Sequence, residues 1–356
     1  MELFKASNQW ATRPADERFK SISDLYTQTK AYADIAREKV VPYSTLRVEA
    51  CGPDVCLVGK AGVPAQLTNW AFGQLCAKVE FPASPLRTLP PTLASQVLNH
   101  CLAKRGDRND TAALMFHSNG NLLLRAITSE QYSRIWNYEV SERLLDLESQ
   151  GWSPAMPDIR KTAEDFPALY ASDHDLFAFV RNNTARLSEP GNPDGLQRGV
   201  IVENSEVGAS ALKLTRFLYR EMCGNHIIWG ASKVIEIAVR HVGDARQRWS
   251  TYSYELKRYA ESSVSDEEAT IASAKQKVIA HTKEEVLNTL FGKRAVGLSR
   301  KTLEAGYEAT LPALDGSPNT VWGIVQGLTR HSQTIPYADG RNVVDKAAGK
   351  LMELVF

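Results

Sequence analysis

The residues of this chain whose types and spacing could do chemistry are few, and each set has a structural reading beside the chemical one. Glu203-Asn204-Ser205-Glu206-Val207-Gly208 places two carboxylates and two small polar side chains at the end of an apolar run, before a glycine. Carboxylates at a strand end could hold a divalent cation against a phosphate. The alternative is a bulged or turning strand in which Asn204 and Ser205 bond their own backbone. Asp244 and the triplet Glu255-Leu256-Lys257 superficially match the acidic pieces of a metal-dependent nuclease. Residues 250–260 read as helix, however, and charged pairs on helices usually face solvent. Cys51 and Cys56, with four residues between them, could begin a metal site, but no second Cys or His pair follows at matching spacing. Cys223-Gly224-Asn225-His226 sets a thiol near an imidazole. A Gly-Asn turn between two strands explains the same four residues without catalysis.

Two stretches interleave basic and aromatic side chains. The first is Arg125, Tyr132, Arg134, Trp136 and Tyr138; the second is Lys213, Arg216, Phe217, Tyr219 and Arg220. Guanidinium groups bind phosphates and aromatic faces stack on unpaired bases, so both stretches are candidate nucleic-acid contacts. The structural reading makes the aromatics core and the arginines rim, since alternate residues of a strand face inward. There is no phosphate-binding Gly-rich loop ending in Lys-Ser/Thr, no dinucleotide fingerprint, no His-Glu-x-x-His and no Gly-x-Ser-x-Gly. No cofactor, metal or catalytic residue is predicted.

These residues sit in a chain of 356 residues, 43% hydrophobic and 23% charged, with a net charge of +1. That is ordinary globular composition, and it speaks against a protein that grips polyanions with its whole surface. A local patch remains open, and residues 209–258 form the most basic long stretch. The five cysteines are odd in number and scattered, which fits a reducing cytosol better than a disulfide framework. The first residues lack the pattern of a secretory signal, and no window is apolar enough to span a bilayer, so neither export by that route nor membrane insertion is expected.

The elements that must position the candidates follow from periodicity and turn chemistry. Residues 21–37 read as a helix; Thr45–Val48 and Val55–Val58 as a hairpin about Gly52-Pro53; Thr68 or Asn69 as the cap of a helix reaching Lys78; and Thr92–Lys104 as another helix. Ala112–Phe116 and Leu122–Ile127 flank Asn119-Gly120, a tight-turn signal. Asn137–Glu148 has the spacing of a helix laid against that hairpin. A turn-rich loop over 189–195 precedes strands in 199–202, 212–219, 226–229 and 233–240, read as an antiparallel meander. Beyond Asp244 the pattern is helical, with helices at 299–308, 320–333 and 342–356. The expectation is an α+β fold: an antiparallel sheet with hairpins packed by helices over residues 1–243, then a helical region over 244–356.

Several segments together resemble a phage and plasmid protein family known as domain of unknown function 932. They are Thr12-Arg13-Pro14-Ala15-Asp16-Glu17-Arg18-Phe19, Leu124-Arg125-Ala126-Ile127-Thr128-Ser129-Glu130-Gln131-Tyr132, residues 199–208, Leu218-Tyr219-Arg220-Glu221-Met222-Cys223-Gly224-Asn225, and Trp322 to Thr329, with Arg341 and Gly349. His226 stands where relatives would carry Gly. The resemblance implies a mobile-element protein in a bacterial cytosol and supplies no reaction. The leading expectation is non-catalytic nucleic-acid binding in DNA metabolism, such as single-strand annealing or recombination. Its contacts would be Arg125, Tyr132, Arg134, Lys213, Arg216, Tyr219 and Arg220, with single-stranded or duplex DNA as partner and a homo-oligomer as an option. The alternatives are a metal-dependent nuclease using Glu203 and Glu206 or Asp244 and Glu255, and a protein that binds a host factor.

Overall fold

The computed structural model describes residues 17–106, 110–119, 121–155, 168–189, 192–220, 225–227, 237–239, 241, 250, 254, 256–259, 261–292, 297–335 and 338–353. Its architecture is α+β, built on two sheets.

The smaller sheet comprises β2 (Ala36–Pro42), β3 (Arg47–Cys51), β4 (Asp54–Val58), β5 (Pro64–Leu67), β6 (Thr111–Asn119) and β7 (Asn121–Thr128), ordered β2-β6-β7-β5-β4-β3. Gly52 takes φ +61° in the β3–β4 turn, a conformation that suits glycine. The β6–β7 hairpin closes at Asn119 opposite Asn121, as the Asn-Gly signal predicts. One pairing, β5 with β7, is parallel, so this sheet is mixed. Helices α2 (Asn69–Lys78), α3 (Ala83–Thr88) and α4 (Pro91–Gly106) cover it, and Thr68 caps α2 by accepting from the Ala71 amide at 3.0 Å. Phe72, Leu75, Leu98 and Leu102 meet Val55, Leu57, Leu67 and Leu124 in its core.

The larger sheet joins β1 (Arg18–Phe19), β9 (Leu169–Ala171), β10 (Leu176–Glu189), β11 (Asn192–Asn204), β12 (Leu212–Arg220) and β13 (Asn225–Ile227) in that order. To it are added β8 (Trp152–Pro154) on β10 and β14 (Ile237–Val239) on β12. Helix α1 (Ile22–Asp34), capped by Ser21, and α5 (Asn137–Glu148) pack on one face of this sheet. There Val140, Leu144 and Leu147 join Ile22, Leu25, Val180 and Val200. Two expectations are corrected. Helix α5 lies against α1 and the larger sheet rather than on the β6–β7 hairpin, and α1 ends at Asp34 because Ala36–Pro42 pairs with β6. The fourteen-residue strand β10 has no counterpart in the sequence reading; a register shift between Arg181 and Arg186 interrupts its alternation. The stretch read as a loop over 189–195 is a hairpin end, with Glu189 opposite Asn192.

The C-terminal part is helical: α6 (Ser265–Gln276), α7 (Lys283–Gly292), α8 (Arg300–Ala309), α9 (Pro312–Asp315), α10 (Val321–Ser332) and α11 (Ala338–Leu351). Helix α10 is buried along nearly its whole length. The core around it includes Leu187, Leu196 and Leu218 from the far ends of β10, β11 and β12. Glu189, also buried, accepts from Trp322 Nε1 at 3.1 Å and lies 3.5 Å from Lys275 Nζ. No helix among the described residues is long and apolar enough to cross a membrane.

Candidate functional site

The segment Asn204-Ser205-Glu206-Val207 ends β11 where the two sheets meet, and almost every polar group in it is spent on that junction. Arg125, on β7, donates from Nη1 to Glu206 Oε2 at 3.1 Å and to His117 Nε2, on β6, at 2.7 Å. Its Nε and Nη2 donate to the Asp173 carbonyl at 3.1 and 2.5 Å. Glu206 Oε1 accepts from the Asn137 amide at 2.8 Å, at the start of α5. Asn204 Nδ2 donates to the Ile135 carbonyl and to Asn137 Oδ1. Ser205 Oγ donates to the His174 carbonyl. Trp70 and Gln74 of α2 both donate to the Val207 carbonyl. The Arg125 and Glu206 side chains are each 2% exposed. A buried guanidinium needs a carboxylate and further acceptors, and this one has both.

The structure therefore groups the first candidate stretch, but inwardly. Arg134 bonds Glu38 Oε1 at 2.6 Å and lies between the rings of Tyr132 and Trp136. The Tyr132 hydroxyl donates to the Ser205 carbonyl, and its ring stacks on His241. Burial pushes the Tyr132 phenol well above its ordinary range. The second stretch lies elsewhere on the larger sheet. Lys213 stands 3.7 Å from Glu203 Oε2, Arg216 is half-buried over the Tyr259 ring, and Tyr219 is buried against Phe217 and Arg181. Arg220 ends β12 opposite Asn225. The candidate contacts do not form one exposed surface: Arg125 is committed to the buried Glu206, the buried Arg134 to the half-exposed Glu38, and Arg216 projects on the opposite face of β12 from Lys213 and Tyr219.

The other motifs resolve similarly. Glu203 and Glu206 serve different cations, Lys213 and Arg125. Asp244, Glu255, Cys223 and Gly224 lie outside the described residues, while Asn225 and His226 open β13. Cys51 and Cys56 are free thiols on the β3–β4 hairpin, and burial pushes the Cys56 thiol up to about 12. Among the described residues no three His, Cys, Asp or Glu side chains are grouped as metal ligands would be.

Burial, with the Arg125 charge adding to it, pushes His117 down to about 3; burial also pushes His241 down to about 4, partly offset by its bond to the Ser133 carbonyl. Both imidazoles are therefore neutral at pH 7. A base whose folded pKa lies below its unfolded value stabilises the fold fully above the unfolded value, near 6.5, and loses that contribution as pH falls toward the folded one. Unfolding free energy should decline below about pH 6.5 with a slope approaching 1.4 kcal/mol per pH unit for each of these two histidines. Chemical denaturation across pH 4–7 should show His117→Gln flattening that slope; an unchanged slope would contradict the assignment.

An open groove lies in the smaller sheet. It has a volume of about 500 Å³ and is lined by β2, by the β4–β5 turn and by apolar side chains between them. Three strands separate β2 from β4 in the sheet order, so the sheet curls to bring both to one groove. Across the β2–β6 ladder Arg37 faces Phe116, Lys39 faces Leu114 and Val41 faces Ala112. Directly opposed residues share a face, so Arg37 and Lys39 stand on the groove side. Glu38, opposite Met115, stands on the other side and is taken by Arg134. Lys60 lies on the far lip beside Val63, which is 57% exposed. The floor is Leu57, Ala65, Leu114, Phe116 and Leu122. The sequence reading missed this site because it ran α1 through Arg37; the β-branched pair Val40-Val41 before Pro42 was the available strand signal.

Fold and site together define an α+β protein whose motif carboxylates and arginines hold two sheets together and whose open groove combines cationic lips with an apolar floor. The family model for Domain of unknown function (DUF932) matches residues 127–346, well over half of the chain, and the chain belongs to that family. The matched span takes in the larger sheet except β1 and most of the helical part, while the groove is built from residues that precede it. No curated protein and no solved structure matches the chain.

Proposed function

We propose that this is a non-catalytic nucleic-acid-binding protein of phage or plasmid DNA metabolism, acting in the bacterial cytosol, with the groove as its binding site. The observation that carries the reading is the charge of that groove. Arg37, Lys39 and Lys60 line it against a single carboxylate, Glu38, which Arg134 already engages. Phosphate neutralisation by such cations supplies the sequence-independent part of nucleic-acid affinity.

Fluorescence anisotropy with labelled oligonucleotides between about 50 and 200 mM salt tests the reading. Affinity should fall steeply with salt. Lys39→Ala with Lys60→Ala should flatten the log–log slope by about 1.4 on a single strand, roughly 0.7 for each phosphate no longer neutralised. Both lysines lie on exposed turns or edges, so the fold should be unaffected. Salt-insensitive binding, or a slope unmoved by the double substitution, would remove the groove from the reading.

A further inference from the structure

We infer that the groove takes an unpaired strand and seats its bases on the apolar floor, with the phosphates held along the two lips. This rests on the nucleic-acid reading above and names its substrate class. The groove offers two kinds of surface, and such a strand matches both. Cations stand on both sides of the groove, Arg37 and Lys39 from β2 and Lys60 from the β4–β5 turn, and between them the half-buried Phe116 and Leu122 lie over the buried Leu57, Ala65 and Leu114, with Thr45 the one uncharged polar side chain in the lining. A duplex presents phosphate and sugar outward and keeps its base faces stacked inside. Docked on this groove it would satisfy the cations and leave the floor facing charged backbone, which gains nothing from burial. An unpaired strand offers both surfaces at once, an anionic backbone and flat apolar base faces. The volume, about 500 Å³, lies within the roughly 300–1,000 Å³ range of pockets that enclose small ligands, a scale for individual bases and not for a double helix.

The β2 edge fits this assignment. Among the described residues β2 pairs only with β6, and Val40 is 55% exposed. The edge remains open to a strand lying along the groove.

Three probes of equal length decide it: a mixed-sequence single strand, the same sequence as duplex, whose two backbones carry twice the charge, and an abasic strand that keeps every phosphate of the single strand but carries no bases. The single strand should bind at least tenfold more tightly than either of the others at the same salt. Val63→Glu, which adds a carboxylate at an exposed position on the lip, should weaken single-strand binding by tenfold or more. Phe116→Leu, which keeps an apolar floor, should cost the single strand about fivefold and leave duplex binding unchanged, in keeping with the energy of base–aromatic stacking. Equal binding of single, duplex and abasic probes, with the salt slope intact, would overturn the inference while leaving the nucleic-acid reading standing. Binding of none of the three would overturn both.

Discussion

Glu206→Ala is expected to destabilise the protein by about 3–5 kcal/mol, the range for breaking a buried ion pair from one side. Against a typical total of about 5–15 kcal/mol this is enough to leave a large unfolded fraction. The size follows from what remains. Arg125, at 2% exposure, would keep its charge with only a neutral imidazole and the Asp173 carbonyl as acceptors. The Asn137 amide would lose its acceptor at the start of α5. Replacing both partners with apolar residues, Arg125→Met with Glu206→Leu, should recover a substantial part of the loss, because no uncompensated charge is then buried. Urea titration of the unsubstituted protein and these two variants measures this. A single substitution costing under about 1 kcal/mol would show that the pair is not the junction's main electrostatic tie.

Gly327→Ala should be comparably damaging for a steric reason. A Cβ at this position would lie 2.0 Å from the Gly306 carbonyl oxygen and 2.3 Å from Thr310 Oγ1. Two of the three nearest atoms belong to the Gly306 backbone of α8, so α8 and α10 would have to move apart. Overpacking of this kind costs about 1–3 kcal/mol and sometimes more, and here it falls on the most buried helix of the C-terminal core. Gly292→Ala is the matched control. It ends α7 with no atom within 4 Å of the added carbon, so only the intrinsic preference of helices for alanine acts, worth up to about 1 kcal/mol in the stabilising direction. Thermal midpoints should therefore move in opposite directions. Equal midpoints for the two variants would mean that α8 and α10 are not in contact as described.

Local elements with strong turn or capping chemistry were legible from sequence. Asn119-Gly120 marks the β6–β7 hairpin, Gly52-Pro53 the β3–β4 turn, Thr68 the start of α2, and Asn137–Glu148 matches α5 residue for residue. What was illegible depended on long-range pairing. Strand β10 carries a register shift that breaks its alternation, and the charged start of β2 reads as a continuation of α1 until β6 claims it. The candidate site divides along the same line. Residue type flagged Arg125 and Arg134, yet whether an arginine meets solvent or is buried against a carboxylate partner is decided by Glu206, eighty-one positions away from one, and by Glu38, ninety-six from the other. No local pattern encodes that choice. The groove was missed for the same reason, since its two lips are three strands apart in the sheet and meet only when the sheet curls.

The reach of β10, β11 and β12 beyond the junction bears on the order in which this protein can be built. Their far ends carry Leu187, Leu196 and Leu218, which are covered by side chains from Ile271 onward. Because the strands precede those helices in the chain, a ribosome finishes the supporting platform before it makes the lid. Until the final third of the polypeptide has emerged, an oily shelf faces water at one end of a sheet that is otherwise complete.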